Sequence, residues 1–377
     1  MNRPSIIFLH ANTKRIRYRT ASHHWLAAEI GFRSFAVNWR SVRVADGKTW
    51  IRGGYEALSS RRKRPIRRWE AIDPTVIVHR IPMRGQAERL MTRLAEVHPR
   101  AILSYHPCWK AISQKWVAEV CLRAAADVPR PPTYLVKTGA INTVLSRVGE
   151  TSPLIFKPST GSMCKGIQLS TPETFSRVAG AVGRSSRQYV VQRLVQNPVL
   201  YQGRKFDFRV FVVVTSMRPL RLHLCREGVV RLAARRFDPR RQRDGLRELT
   251  GCSYRKRRRV PIHNTTTSRL LAHLRARGMQ VGDFWERLDN LVRAVFVRLS
   301  RHPALDRVPD IERRFYLGGL DVMMAGRGDS YELLFLETNY YPQLNSWGAR
   351  VDRGLRTAHR QWLAEIHQDV VDRTSLP

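Results

Sequence analysis

Apolar residues along this chain fall into short runs, and the sharpest pair of runs stands near the C-terminal end. Phe315-Tyr-Leu-Gly-Gly-Leu-Asp321-Val-Met-Met and Tyr331-Glu-Leu-Leu-Phe-Leu-Glu337-Thr-Asn339 flank the turn-forming Ala325-Gly-Arg-Gly-Asp-Ser330. The pattern predicts two adjacent antiparallel strands. Strand side chains alternate between faces, so Glu337 and Asn339 share one, and Asp321 on the partner strand can approach it. Two carboxylates and an amide carbonyl on one surface suit Mg²⁺, which keeps several waters and shares phosphate oxygens with a nucleotide. An acidic solvated face on an ordinary hairpin would read the same way, so the remaining pattern has to decide.

Upstream, Ile6–Leu9 and Arg33–Asn38 read as strands around a helix near Trp25–Ile30. Pro74–His79 and Ala101–Tyr105 read as further strands, separated by a helix over Gln86–Val97. Such alternation predicts a small α/β unit. The basic stretch Arg52–Arg68 has little apolar patterning and is expected to be an exposed loop. A helix over Ser113–Ala126 ends at Asp127-Val-Pro-Arg-Pro-Pro132, where prolines cannot continue it, and a domain boundary is expected there. Beyond it, Ser152–Lys157, Gly166–Ser170 and Gln188–Val195 read as strands, with a helix over Thr174–Val182. Lys205–Thr215 reads as a long strand whose polar residues alternate at its start before a continuous apolar run. Pro219–Cys225 and Glu227–Leu232 read as strands, Thr267–Arg277, Phe284–Leu299 and Val351–Val371 as helices. Phe237–Asn264 has many arginines and little periodicity, and is expected to be mobile without a ligand. The expected organisation is an N-terminal α/β domain over 1–130, a central lobe over 131–200 and a C-terminal lobe over 201–377.

Composition narrows the class. With 377 residues, 43% of them hydrophobic, and nine Trp, the chain can bury a substantial core. It contains no apolar run of about 18 residues, so no membrane span is expected. Ile6–Leu9 is too short for a signal peptide and reads as a first buried strand. Cys108, Cys121, Cys164, Cys225 and Cys252 form no CxxC pair, which argues against a disulfide frame or a zinc site and suits a reducing cytoplasm. The formal charge of +37 is concentrated in clusters such as Arg61-Arg-Lys-Arg64 and Arg255-Lys-Arg-Arg-Arg259. Such a field attracts nucleic acid, anionic lipid or an acidic polypeptide. Arginine is also scattered everywhere, so charge alone does not choose the partner.

The candidate chemistry lies in the middle of the chain. Phe156-Lys157-Pro-Ser-Thr-Gly161-Ser-Met-Cys-Lys165-Gly166 joins two strands and is not a P-loop, which would lead GxxxxGK[ST] into a helix. Its small residues let backbone close over phosphates, and Lys157, Lys165 and Lys205 offer positive charge. Gln192, after apolar strand residues, suits an adenine edge. Lys205, Asp207 and Arg209 project to one face of one strand. Three charges on an otherwise apolar strand are costly unless they meet each other or a ligand.

In series, Lys157-Pro with its Gly/Ser loop, Val191-Gln-Arg193, Arg204-Lys-Phe-Asp-Phe-Arg209, Arg226-Glu-Gly228, Leu249-Thr250, Gly319-Leu-Asp321-Val and Leu336-Glu-Thr-Asn339 closely resemble the tubulin-tyrosine-ligase-like family of the ATP-grasp superfamily. The likeness covers about residues 130 to 348. It implies an α/β (α+β) ATP-grasp fold behind an N-terminal Rossmann-like pre-ATP-grasp domain, with two lobes clasping ATP. By the same resemblance, Lys157 and Lys205 would bind phosphates, Gln192, Arg193 and Val195 would hold adenine, and Asp321, Glu337 and Asn339 would ligate Mg²⁺. Asp207, Arg209 and Arg226 would hold the reacting carboxylate and incoming amino acid. Where the family has Leu-Thr-Asn-Tyr-Ser this chain has Leu249-Thr-Gly-Cys-Ser253, so Thr250 can face ribose or phosphates but Gly251 supplies no Asn side chain. Cys252 replaces an aromatic beside the amino-acid pocket, while Ser253 and Lys256 align with that neighbourhood as substrate contacts.

The resemblance implies ATP-dependent ligation of an amino acid to a protein or peptide carboxylate, an acidic tail above all, through an acylphosphate. Two other readings stay open: a polyanion- or RNA-binding protein on an inactive ATP-grasp frame, and a ligase with a small-molecule acceptor.

Overall fold

The computed structural model describes residues 3–10, 26–59, 62–80, 86–104, 112–137, 152–160, 164–217, 219–251, 264–306, 313–340, 351 and 355–374. These residues form a mixed α/β fold. Its first sheet has the order β6-β5-β2-β1-β8-β9, built from β1 (Ser5–His10), β2 (Arg33–Asn38), β5 (Tyr55–Ser59), β6 (Arg62–Pro65), β8 (Val76–Arg80) and β9 (Ile102–Leu103). β2, β1, β8 and β9 are parallel, and parallel strands need cover on both faces. β1 is accordingly buried along its whole length. Ile7 and Leu9 meet Met91 and Leu94 of helix α1 (Gln86–Val97), whereas Ile6 and Phe8 share a core with Trp362, Leu363 and Ile366 near the C-terminal end.

Two parts of this region depart from the sequence expectation. Arg52–Arg68 is not a loop, because it contains the β5–β6 hairpin. Its polar residues satisfy one another, with Arg64 donating to both Glu56 and Glu70, while Tyr55 is buried. A small antiparallel sheet, β3 (Val42–Ala45), β4 (Lys48–Ile51) and β7 (Glu70–Ile72), was also not foreseen. Its first turn carries Asp46 and Gly47 at φ of 52° and 67°. A two-residue hairpin turn of this hand asks for such values, and Asp-Gly is its strongest sequence signal.

The second sheet, in the order β10-β13-β11-β12, contains β10 (Thr133–Val136), β11 (Leu154–Pro158), β12 (Gln168–Ser170) and β13 (Tyr189–Arg193), all antiparallel. Helix α3 (Phe175–Gly183) covers one face, setting Phe175, Val178 and Val182 against Phe156 and Val191.

The third sheet is centred on β15 (Arg204–Met217), between β17 (Val229–Leu232) and β19 (Tyr316–Arg327). It is extended by β18 (Asn264–Thr266), β20 (Ser330–Tyr340), β14 (Leu200–Tyr201) and β16 (Leu220–Leu224). β15 explains its own sequence pattern. Phe206, Phe208, Val210, Val212 and Val214 belong to one core, closed by Phe284, Leu288 and Val292 of helix α6 (Phe284–Leu299). Phe211 and Val213, on the opposite face, join the core formed with the N-terminal sheet and Trp362. Only Lys205, Asp207 and Arg209 on that second face escape the apolar cover, so charge alternates there and nowhere else along the strand. Helix α2 (Lys115–Leu122) packs Ala118 and Leu122 into the α6 core and lies beside β20.

Within 237–264, expected to be mobile, the described residues form a 3₁₀ turn at Pro239–Arg241 and one helical turn, α4 (Gly245–Glu248). Asp238 and Asp244 cap them by accepting from the backbone N–H groups of Arg240 and Leu246; residues 252–263 lie outside the described set. Helix α5 (Thr267–Arg275) follows β18, and helix α7 (Arg356–Thr374) closes the chain. Among the described residues no helix is long and apolar enough to cross a membrane.

Candidate active site

The register of the third sheet brings its charges together. Asp207 on β15 lies opposite Arg231 on β17, Arg209 opposite Asp321 on β19, and Asp321 opposite Glu337 on β20. The result is a belt across four strands whose signs alternate from β17 to β19 and which ends in two facing carboxylates, Asp321 and Glu337. Arg209 donates to Asp321 through Nε and Nη2 at 2.6 and 3.1 Å, and Arg231 reaches Asp207 with two bonds of 2.6 Å. Arg231 Nη2 also donates to Asp321 Oδ2 at 2.7 Å, linking the two pairs. All four residues are buried. Buried charge is stable only when paired and fully hydrogen-bonded, and these forked contacts meet that condition. Burial alone would raise the Asp321 carboxyl, but the two guanidiniums overcome it and hold the group far below the usual carboxylate range.

The three residues expected from sequence as metal ligands stand at the acidic end of the belt. Glu337 and Asn339 lie two residues apart on β20, opposite Asp321 and Gly319. Glu337 Oε2 lies 3.0 Å from Nζ of Lys115, at the start of α2. The Asn339 amide nitrogen is buried without a hydrogen-bond partner. A half-turn of that carboxamide exchanges the nitrogen for its oxygen, and an amide oxygen, like the carboxylates of Asp321 and Glu337, is a hard donor of the type Mg²⁺ takes.

The lysines come from two sheets. Lys157, on β11, is buried and donates to Gln192 Oε1 at 2.5 Å, while Gln192 Nε2 donates to Thr133 at 2.9 Å. Desolvation lowers the Lys157 ammonium, aided by Lys115, and the nearby Glu337 and Asp321 carboxylates only partly offset this. The amines of the middle of the chain and the carboxylates of the terminal hairpin therefore face one another. Lys205 instead donates to Glu248 at 2.6 Å and to the Val195 carbonyl at 3.4 Å. Thr250 donates to Asp207 Oδ2 at 2.5 Å, tying the segment after α4 to the belt.

The remaining expected residues divide. Arg193 ends β13 opposite Leu154, three residues along from Val190, the partner of Lys157. Lys165 is exposed on the turn over 164–166. Arg226 is exposed, and its guanidinium lies 5.7 Å from the ring of Trp285 on α6, at the helix-covered side of the sheet. The arginine that joins the belt from this part of the chain is Arg231. Ser253 and Lys256 lie outside the described residues.

Arg231, Lys115 and Glu248 were not singled out from sequence. Arg231 had a signal: Val229-Val-Arg-Leu232 places one charge inside an apolar strand, as Asp207 and Arg209 do on β15. Lys115 and Glu248 had none, because their partners are distant in sequence.

A buried lysine thus stands near a carboxylate–guanidinium belt, the two coming from different antiparallel sheets. Comparison with known proteins gives the family. Residues 128–367 match the tubulin-tyrosine ligase family, and the chain belongs to it. It is 30% identical over 226 residues to the mouse protein named probable tubulin polyglutamylase TTLL2, a match covering 57% of this chain and 40% of that protein. It is 29% identical over 177 residues to human tubulin monoglutamylase TTLL4, covering 42% of this chain and 14% of the relative. Against Caenorhabditis elegans tubulin polyglutamylase ttll-11 the identity is 27% over 245 residues, covering 57% of this chain and 32% of the relative. The chain thus spans less than half the length of these relatives.

Proposed function

We propose that this protein is an ATP-dependent carboxylate–amine ligase that adds an amino acid to an acidic protein or peptide tail. The observation that carries the reading is the convergence of Lys157, Lys115, Glu337, Asp321 and Arg231 on one place. A pure polyanion binder has no use for buried carboxylates there. The proposed frame is ATP-grasp, with a Rossmann-like N-terminal domain over 1–130, a central lobe over 131–200 and a C-terminal lobe over 201–377. The parallel strands β2, β1, β8 and β9 support the first of these.

In this reading the acceptor carboxylate oxygen attacks the γ-phosphorus of ATP, the bond to the β-phosphate oxygen breaks, and ADP leaves. The amine of the incoming amino acid then attacks the acyl carbon, the bond to phosphate breaks, and the nitrogen sheds a proton. Lys157 would lie along the triphosphate, with Lys165 adding charge at the loop. The backbone of Arg193 and Val195 would face adenine while Gln192 braces Lys157. Asp321, Glu337 and Asn339 would hold Mg²⁺, which supplies charge neutralisation on the phosphates. Arg209 and Arg231 present fixed donors near the reacting carboxylate, and preoriented donors stabilise charge developing in a transition state. Thr250 keeps Asp207 in place, and Lys205 with Glu248 fixes the floor. The widely spaced cysteines suit a reducing cytoplasm.

The test is incubation with ATP, Mg²⁺, each of the twenty amino acids and acidic peptides, read by mass spectrometry for an added residue. Glu337→Gln should abolish addition while leaving the circular-dichroism spectrum unchanged. Equal turnover in that variant would remove the metal assignment.

A further inference from the structure

The small sheet β3-β4-β7 has an outer face that the ligase chemistry does not use. Its strands alternate: Val42, Val44, Thr49 and Ile51 are buried, while Arg43, Lys48 and Arg52 point outward. The Arg43 and Arg52 guanidiniums lie 4.5 and 5.1 Å from the centre of the same Trp69 ring. Exposed Arg62 on β6 and exposed Arg67 and Arg68 in the segment after it, next to Trp69 in sequence, add further cations to this part of the molecule. Of the carboxylates around this face, Glu56 and Glu70 pair with Arg33 and Arg64, and Asp46 stands in the β3–β4 turn. Among the described residues no ion pair offsets the cations of this face.

We propose that this face is an exosite for an acidic polypeptide, away from the ligation centre; the inference rests on the ligase reading for its biological role but not for its binding test. One feature favours a polypeptide over nucleic acid: Trp69 is already engaged by two guanidiniums, so its ring is not offered to a base. A stacked guanidinium keeps its N–H edges outward in a fixed fork, a geometry that carboxylates accept in pairs. β6 is moreover the far edge of the first sheet, and β9 is the edge that abuts the ligation sheet, where the Phe315 N–H donates to Leu103. Five strand spacings separate them, about 24 Å, which an extended chain covers in roughly seven residues. Short acidic acceptors would reach only the ligation centre, whereas longer ones engage the exosite as well.

The experiment measures fluorescence anisotropy of a labelled twelve-residue oligoglutamate, with an oligouridine of equal charge as the second probe at the same salt. The expected result is oligoglutamate binding that weakens at least tenfold in R43Q/R52Q and in R67Q/R68Q, with melting temperature unchanged, and persists in E337Q. Unaltered affinity in both double variants would overturn the proposal, as would tighter binding of the oligouridine. Turnover separates the two readings. In a working ligase, R43Q/R52Q raises KM for long acceptors and leaves kcat and short acceptors alone. Exosite binding without any turnover would leave this inference standing and defeat the ligase.

Discussion

A Cβ on Gly251 would stand 2.4 Å from the sulfur of Cys164. Cys164 itself sits at φ +56°, a backbone region that favours glycine. The two positions therefore complement each other: a side chain occurs where the turn prefers none, and none occurs where the sulfur needs room. Burial, with Glu337 next in effect, pushes the Cys164 thiol up to about 11, so it lines the site as a neutral wall.

It follows that Gly251→Ala will be damaging although the change is one methyl group. Overpacking of this kind costs roughly 1–3 kcal/mol, and here it pushes the turn at Cys164 away from the segment after Thr250. Cys164→Gly should be tolerated alone, and in the double variant it should restore both melting temperature and nucleotide affinity to Gly251→Ala. A Gly251→Ala protein indistinguishable from wild type would show that the sulfur moves aside freely.

Arg226 and Arg231 give opposite expectations. Arg226 is exposed over Trp285, so Arg226→Ala should change stability by no more than about 1 kcal/mol and leave the belt intact. Arg231 holds two buried carboxylates. Removing one partner of such a cluster strands the others and costs on the order of 3–5 kcal/mol. Urea titration of Arg231→Gln and Arg226→Ala compares them directly, and similar midpoints would contradict the assignment.

That contrast shows where sequence reading stops. The alternation of Lys205, Asp207 and Arg209 was legible, and so was the terminal hairpin that sets Asp321 across from Glu337, because both depend on strand period alone. Register was not legible. Arg231 was not singled out, because only the pairing of β17 with β15 sets it opposite Asp207. The basic stretch at Arg52–Arg68 looked unpatterned because its arginines find glutamates across strands, as Arg64 finds Glu56, rather than apolar partners along one face. Lys115 reaches Glu337 across more than two hundred residues, and no local spacing records that.

The belt also sets an acid limit. The folded-state carboxyl of Asp321 is depressed by Arg209 and Arg231 below its unfolded value of about 3.9. The unfolded chain therefore binds this proton first as pH falls. The stabilisation is complete above the unfolded value and is lost progressively as pH drops towards the folded one. Unfolding midpoints measured between pH 6 and pH 2 should fall steeply below about pH 4. In Asp321→Asn that part of the slope should vanish, on a lower baseline. An unchanged slope would assign the acid sensitivity to other carboxylates.

Phe211 connects the site to the rest of the molecule. It is fully buried on the same face of β15 as Arg209, two residues further along, in the core shared with Ile6, Phe8 and Trp362. The charged belt begins where this apolar cover ends, so the packing that holds the N-terminal sheet also fixes the height of Arg209 above it. Phe211→Ala leaves a cavity at that junction and should cost about 3–5 kcal/mol. The denaturant midpoint should fall with an unchanged slope, because the surface exposed on unfolding stays nearly the same. Phe211→Leu, which keeps most of the volume, should recover more than half of the loss. If instead Phe211→Ala unfolds in two separate transitions, the N-terminal sheet folds independently of the belt and the junction holds them together only weakly.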